Sequence, residues 1–308
     1  MSYTNFNTQS SKKSNELKIA VGIPAFNEEK NIAQIIIKLK KIVNTIIVCD
    51  DGSTDLTGEL SKQLGTIVIN HPKNFGYGAA IRTLFLKAKE MDIDVLVTFD
   101  ADGQHRIEDV EKVVDPIIKN KADIVIGSRF LGDKNTVPRY RRFGIKTITE
   151  LTNTTTGSKI TDAQSGFRAY NKKALQEIVP SEHGMGVSTE ILIKATAKKL
   201  RILEMPIVIL YEDKTSTHNP VSHGASVIFS TLKFIAIEHP LKFYGFPGLV
   251  FLIIGLSFIL WTFQLYSESR EIITNVALIG LSSTIFGIIL LVAATILYSM
   301  VNLVRGRT

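Results

Sequence analysis

Two stretches near the end of the chain carry no charged residue: Phe243 to Tyr266, about 24 residues, and Ile272 to Val304, about 33. A helix needs about 20 predominantly apolar residues to cross the hydrocarbon core of a bilayer, so each run is long enough. Trp261, Tyr266, Tyr244 and Tyr298 stand where aromatic side chains would meet the membrane–water interfaces. The turn between the runs, Ser267 to Glu271, is acidic on balance. Lys233 and Lys242 precede the first run, and Arg305 and Arg307 follow the second. The excess of Lys and Arg at the outer ends places both in the cytoplasm and the acidic turn outside. A buried helical hairpin in a soluble protein is the alternative. The length of both runs and their lack of charge argue against it. The reading is therefore a C-terminal two-helix transmembrane hairpin over residues 243–304. Gly280, Ser282, Ser283 and Gly287 permit close helix contact, within the pair or in a homo-oligomer.

What precedes the hairpin has a different character. Residues 1–16 are polar and lack the apolar core of a signal peptide, so they read as a disordered lead-in to a cytoplasmic domain. The 308 residues carry a net charge of +7. No basic helix stands apart as a nucleic-acid reader, which leaves an anionic membrane or an anionic substrate as the reason for the charge. Cys49 is the single cysteine, so internal disulfides and cysteine-rich metal sites are excluded.

From Leu17 to about Ser128, short Val- and Ile-rich runs (Leu17–Ile23, Thr45–Cys49, Thr66–Ile69, Val95–Phe99, Ile124–Ile126) alternate with helical-period segments (Glu29–Lys41, Leu56–Leu64, Gly78–Glu90, Glu108–Lys119). This alternation predicts an α/β fold with a mainly parallel sheet. From Phe130 to Tyr211 the pattern is mixed, with a helix-like run at Thr189–Lys199 and a strand-like run at Ile202–Leu210. Gly224–Ile237 has an apolar face of Val227, Ile228, Thr231, Phe234 and Ile235, and predicts an amphipathic juxtamembrane helix within 223–240.

In a parallel sheet, ligands sit beyond the carboxyl ends of the strands. Those ends deliver Asn27 and Glu28, then Asp50 and Asp51, then Asp100, Asp102 and Gln104. Carboxylates gathered at one edge repel each other unless something positive sits among them. Asp100, Asp102 and Gln104 make an all-oxygen set of the kind that suits Mg2+ or Mn2+ and leaves coordination positions for phosphate oxygens. A solvated Asp-Ala-Asp-Gly turn is the alternative for these residues alone, and the acidic ends of the other strands favour the metal. Asn74 to Ala80 opens a helix with glycines, and a plain helix-entry turn is the better reading there. It is not a dinucleotide fingerprint, because it follows the third strand and lacks the third glycine.

Pro-Ala-Phe-Asn-Glu (24–28), Asp-Asp-Gly-Ser-Thr-Asp (50–55), Asn-Phe-Gly-Tyr-Gly (74–78) and Asp-Ala-Asp-Gly-Gln-His (100–105) follow one another in the order of family 2 glycosyltransferases. Gly127-Ser128-Arg129 and Gln164-Ser165-Gly166-Phe167-Arg168 extend the match. Over Ile19 to about Tyr211 the chain resembles the branch of dolichyl-phosphate mannose synthases and polyprenyl-phosphate glucosyltransferases, some of which also carry a two-span tail. The resemblance implies a GT-A-type nucleotide-sugar-binding domain over 17–222, acting on a nucleotide-sugar donor and a polyprenyl or dolichyl phosphate at the membrane. It implies that Pro24, Ala25, Asn27, Glu28 and Asp51 line the nucleotide pocket, and that Asp100, Asp102 and Gln104 hold metal and donor diphosphate. It also implies that Arg129 receives the acceptor phosphate. One of Arg139, Arg141 and Arg142 would be a second clamp, Arg141 by its distance from Pro138. Lys214 would lie near the diphosphate, although Ser-Thr-His follows where Ser-Lys is usual. A hydroxyl acceptor would need a carboxylate base, for which Glu190 is the candidate, with a helix-start carboxylate as its structural alternative. No Gln-x-x-Arg-Trp motif of processive synthases is present.

Overall fold

The computed structural model describes residues 17–132, 139–209, 236, 240–271 and 273–305. They fall into two compact units, taken separately below.

The first unit is a seven-stranded sheet with helices on its two faces. Strands β1 (Ile19–Ala25), β2 (Thr45–Asp50), β3 (Ile67–Asn70), β4 (Val95–Thr98) and β5 (Ile124–Ser128) alternate with helices α1 (Glu29–Leu39), α2 (Thr57–Gln63), α3 (Tyr77–Glu90) and α4 (Asp109–Ile118). These correspond closely to the runs expected from the sequence. Helix α5 (Arg139–Thr156), strand β6 (Arg168–Asn171), helices α6 (Lys172–Glu177) and α7 (Val187–Ala197), and strand β7 (Ile202–Pro206) complete the unit. The spatial order is β3-β2-β1-β4-β6-β5-β7. Strand β6 runs antiparallel to both β4 and β5, while the other pairings are parallel. Two apolar clusters, one on each face of the sheet, form the core. One contains Ile32, Ile36, Val97 and Val113; the other contains Leu84, Phe85, Leu96 and Leu192.

This topology decides where chemistry can happen. The chain proceeds outward from β1 through β2 to β3, then returns to place β4 on the other side of β1. A crevice opens at such a reversal, beyond the carboxyl ends of the two strands. The antiparallel β6 begins at the same edge, since Arg168 pairs with Thr98 near the end of β4.

Asp123, 3% exposed, ties the far half of the sheet together. It accepts from Arg201 N at 2.8 Å, Arg201 Nε at 3.1 Å, Arg201 NH2 at 3.0 Å and Asn171 Nδ2 at 2.9 Å. The Arg201 hydrogen bonds hold its carboxyl down to about 2. An ordinary aspartate titrates near 4, so the stabilisation is complete above about pH 4 and is lost as the pH falls towards about 2. Asp123→Ala is expected to cost about 2 kcal/mol at neutral pH. Denaturant unfolding at neutral and acid pH checks it: the wild-type advantage should shrink as the solution is acidified.

The second unit contains a π-helical turn (Leu241–Gly245) leading into α8 (Phe246–Ser269), and α9 (Thr274–Arg305). Arg270 ends α8 in the left-handed region at φ 58°. The stretches Leu241–Ser269 and Thr274–Met300, of 29 and 27 residues, are long and apolar enough to cross a membrane. Phe246, Leu260 and Phe263 are more than 60% exposed, so the apolar surface faces outward rather than into a core. The two helices pack through small residues. A Cβ on Gly287 would lie 2.6 Å from Leu252 N, and one on Gly255 would lie 2.5 Å from Thr284 N. Gly280 packs against Ile259 and Phe258. Two of the small residues that could serve oligomer contacts, Gly280 and Gly287, thus serve contact within the hairpin. The expected amphipathic helix lies outside the described residues apart from Ala236 and Pro240.

Candidate active site

The crevice is built from three loops laced together. Asn27 follows β1 with a positive φ of 55°. Its N–H donates to Ser53 Oγ at 2.9 Å, and its Oδ1 accepts from Thr54 N at 2.9 Å. Glu28 N donates to Thr57 Oγ1 at 2.7 Å, and Glu29 N donates to Asp55 Oδ2 at 3.1 Å. The loops after β1 and β2 thereby form one rigid wall. Pro24 and Ala25 are buried at the end of β1, and Ala25 O accepts from Asp51 N at 2.8 Å.

Asp51, expected to hold the nucleoside, is 3% exposed. Its carboxylate accepts from Phe75 N at 3.0 Å, Gly76 N at 2.8 Å and His71 Nδ1 at 2.6 Å. His71 Nε2 in turn meets Thr83 Oγ1 at 2.9 Å. In this structure Asp51 and His71 fix the 71–76 loop. His71 offered no readable partner in the sequence, because Asp51 and Thr83 lie 20 and 12 residues away. The first turn of α3 makes no anion cradle: Gly78 N donates to the His183 carbonyl at 2.8 Å, as a plain helix entry would.

On the other side of the crevice, Asp100 Oδ1 accepts from the Tyr77 hydroxyl at 3.0 Å, and Oδ2 faces His105 Nε2 at 3.2 Å. His105 is stacked on Phe167, with ring centroids 5.0 Å apart. Burial alone would push the Asp100 carboxyl up. The hydrogen bond and charge of His105, with Tyr77 and Arg129, outweigh it and hold the group below its usual range. Asp102 behaves oppositely. Burial first, then the Asp100 charge, pushes it up, and its Oδ1 accepts from Gln104 N at 3.0 Å. Glu28 is also raised, by burial and by the charges of Asp102, Asp55 and Asp100, against an Asn31 hydrogen bond at 3.0 Å. These carboxylates thus crowd one another at the switch point.

Among the described residues no three His, Cys, Asp or Glu side chains form a closed metal cage. Mg2+ and Mn2+ sites need none, since one or two carboxylates and substrate phosphates suffice. The raised carboxyls of Asp102 and Glu28 fit a site for a cation, and Asp102 is the less occupied of the two aspartates. The half-buried Gln104 stands beside them.

Arg129 lies just past β5. Its Nε and NH2 donate to Asp162 Oδ2 and Oδ1 at 2.6 and 2.7 Å. Asp162 is fully buried, and its N–H and that of Thr161 are held by Glu204 at 3.0 and 2.8 Å. Arg129 is therefore a fixed cation whose charge reaches Asp100. Of the other arginines, Arg142 has a buried Nε without a hydrogen-bond partner among the described residues. The side chains of Arg139 and Arg141, and all of Lys214, lie outside the described residues.

Glu190 is fully buried. It accepts from Ser181 N at 2.8 Å, from Ser181 Oγ and from Glu182 N at 2.8 Å, and it pairs with Lys194 Nζ at 2.7 Å. This carboxylate anchors the 181–182 loop to α7, and its four donors come from Ser181, Glu182 and Lys194. Asp162, Arg168 and Tyr77 were missed as site residues. The Gln164–Arg168 motif marked the neighbourhood, but only the antiparallel placement of β6 shows what it touches.

The glycosyl transferase family 2 model matches residues 20–179. A UDP-N-acetylglucosamine–dolichyl-phosphate N-acetylglucosaminyltransferase of Methanococcus voltae is 36% identical over 213 residues, 62% of this chain and 85% of that one. A dolichyl-phosphate hexose transferase of Haloferax volcanii is 30% identical over 226 residues, 73% of this chain and 96% of that one. Among solved structures, glucosyl-3-phosphoglycerate synthase of Mycobacterium tuberculosis with Mn2+, uridine diphosphate and phosphoglyceric acid superposes with a TM-score of 0.57 at 21% identity, covering 71% of this chain and 78% of that one. The sheet order, the acidic switch-point crevice and these matches lead to one conclusion: the chain belongs to glycosyltransferase family 2, with a GT-A-type catalytic domain.

Proposed function

We propose that the protein transfers a hexose, with inversion, from GDP-mannose or UDP-glucose to a polyprenyl or dolichyl phosphate at the cytoplasmic face of a membrane. In this reaction the bond from the sugar's anomeric carbon to the donor diphosphate breaks. A bond from that carbon to a lipid phosphate oxygen forms, and a nucleoside diphosphate leaves. Asn27, Glu28 and the end of β1 form the nucleotide wall, with Asp51 holding the adjoining loop. Asp100, Asp102 and Gln104 face the diphosphate and would hold Mg2+ or Mn2+ with it; the cation would neutralise the leaving group. Arg129, fixed by Asp162, would align the acceptor phosphate, and Arg141 and Lys214 remain proposed phosphate contacts.

The observation that supports this acceptor over a glycan or glycolipid hydroxyl is the state of Glu190. A hydroxyl needs a base within reach, and the carboxylate best placed in sequence for that task is sealed by four donors. A phosphate is already an anion. The two apolar helices and the names of the relatives favour a lipid acceptor in the same way. The proposed domain limits are 17–222 for catalysis and 243–304 for the spans, with both ends cytoplasmic.

The test is label transfer from a panel of nucleotide sugars, N-acetylglucosamine donors included, into organic-extractable lipid. Purified protein receives polyprenyl phosphate and Mn2+ or Mg2+. Label in the lipid phase with one donor is the expected result. Donor binding with no lipid label from any donor would overturn the acceptor assignment.

A further inference from the structure

Arg168, at the start of β6, is 1% exposed and has no assigned part in the reaction. Its Nε donates to Ser165 O at 2.8 Å, NH1 to Ser188 O at 2.9 Å and NH2 to Ala163 O at 2.8 Å. No Asp or Glu among the described residues forms an ion pair with it. A buried cation held by carbonyls and the Tyr170 hydroxyl, with no acidic partner among the described residues, carries a desolvation cost of several kcal/mol, so the arrangement calls for a reason beyond filling space.

The three carbonyls supply one. Two belong to the loop entering β6, and the third lies in the first turn of α7. The next residue of that loop, Gly166, presses on the donor side of the crevice. A Cβ there would fall 2.4 Å from the Tyr77 hydroxyl and 2.7 and 2.9 Å from the two Asp100 oxygens. Gly166 O also accepts from Thr98 Oγ1 at 2.6 Å, which fixes it to β4. The void among Tyr77, Thr98, Gly166, Arg168, Tyr170 and Ser188 is about 10 Å³, so the assembly has little slack. The chain of contact runs from the guanidinium through the 163–166 loop to the carboxylate.

We infer that Arg168 is a positioning residue: a three-pronged clamp that holds Gly166 against Tyr77 and Asp100 and so fixes the donor-facing carboxylate. The inference rests on the donor-side role proposed for Asp100. Lysine at this position would keep the charge but not three divergent bonds in one plane.

The experiment compares Arg168→Lys and Gly166→Ala with wild type. Binding of Mn2+·UDP and Mn2+·GDP is measured by calorimetry, together with kcat and both KM values, at a temperature where melting curves show each protein folded. Supporting groups of this kind change metal affinity or activity by about 10- to 100-fold. That loss is expected in nucleotide binding and in kcat for both variants, with the acceptor KM unchanged. Folded Arg168→Lys with wild-type nucleotide affinity overturns the clamp. If Arg168→Lys does not fold, Gly166→Ala decides, since it disturbs the same contact while leaving the guanidinium in place. Wild type that binds Mn2+·nucleotide but labels no lipid overturns the acceptor proposal, and the affinity ratios still decide the clamp. Wild type that binds neither nucleotide overturns both.

Discussion

Arg129→Ala is expected to cost the protein about 3–5 kcal/mol of stability as well as its activity, because it leaves a buried charge without its partner. Asp162 is 0% exposed, and Arg129 supplies it with two guanidinium bonds and one backbone N–H. Among the described residues, truncating the arginine leaves Asp162 only the backbone donor. A simple reading of the single variant would therefore confuse unfolding with loss of acceptor binding. Removing both partners separates them. In Arg129→Ala with Asp162→Ala the stranded charge is gone, and most of the stability should return. Activity should not return, because the cation that meets the acceptor phosphate is still missing. Chemical denaturation of the two single variants and the double variant gives the coupling energy, and lipid-transfer assays run beside it give the functional half. A double variant that recovers turnover together with stability would show that the arginine serves the fold alone.

The same pair marks how far the sequence could be read. The strand–helix alternation up to Ser128 was legible because buried parallel strands announce themselves as apolar runs. The three acidic strand ends were legible because the rule for parallel sheets says where to look. Strand β6 was not. It is four residues long, Arg-Ala-Tyr-Asn, begins with a charge and has no alternation to detect. Its order in the sheet, between β4 and β5, is what brings Gly166 to Asp100, with Arg168 holding the loop behind it. The run Arg139–Thr156 is rich in threonine and basic residues, so a helix there was hidden by weak propensity. The Arg129–Asp162 pair spans 33 residues, and no local pattern links such partners. Glu190 was read with two alternatives open, and the geometry supplied the missing fact: four donors around a sealed carboxylate.

Asp102→Asn is expected to abolish metal-dependent turnover, by about a thousandfold in kcat, while making the metal-free protein more stable. Both effects come from one property. The Asp102 carboxyl is raised in the folded chain by burial and by the Asp100 charge, and Glu28 is raised by burial and by Asp102 among others. Between the ordinary carboxylate value and these raised values the folded protein binds more protons than the unfolded chain. Stability therefore falls as the pH rises through that window. Asparagine removes the charge, relieves Glu28 and should raise the melting temperature at neutral pH. A bound cation reverses the balance for wild type alone: Mn2+ should bind more tightly as the pH rises and these groups lose their protons, and it should raise the wild-type melting temperature by mass action. Melting curves with and without Mn2+ and a nucleoside diphosphate, at several pH values, read all of this alongside turnover. Equal stabilisation of wild type and Asp102→Asn by Mn2+, or near-normal turnover in the variant, would remove Asp102 from the metal site. The opposite pattern would mean that the charge that destabilises the empty crevice is the one that holds the cation.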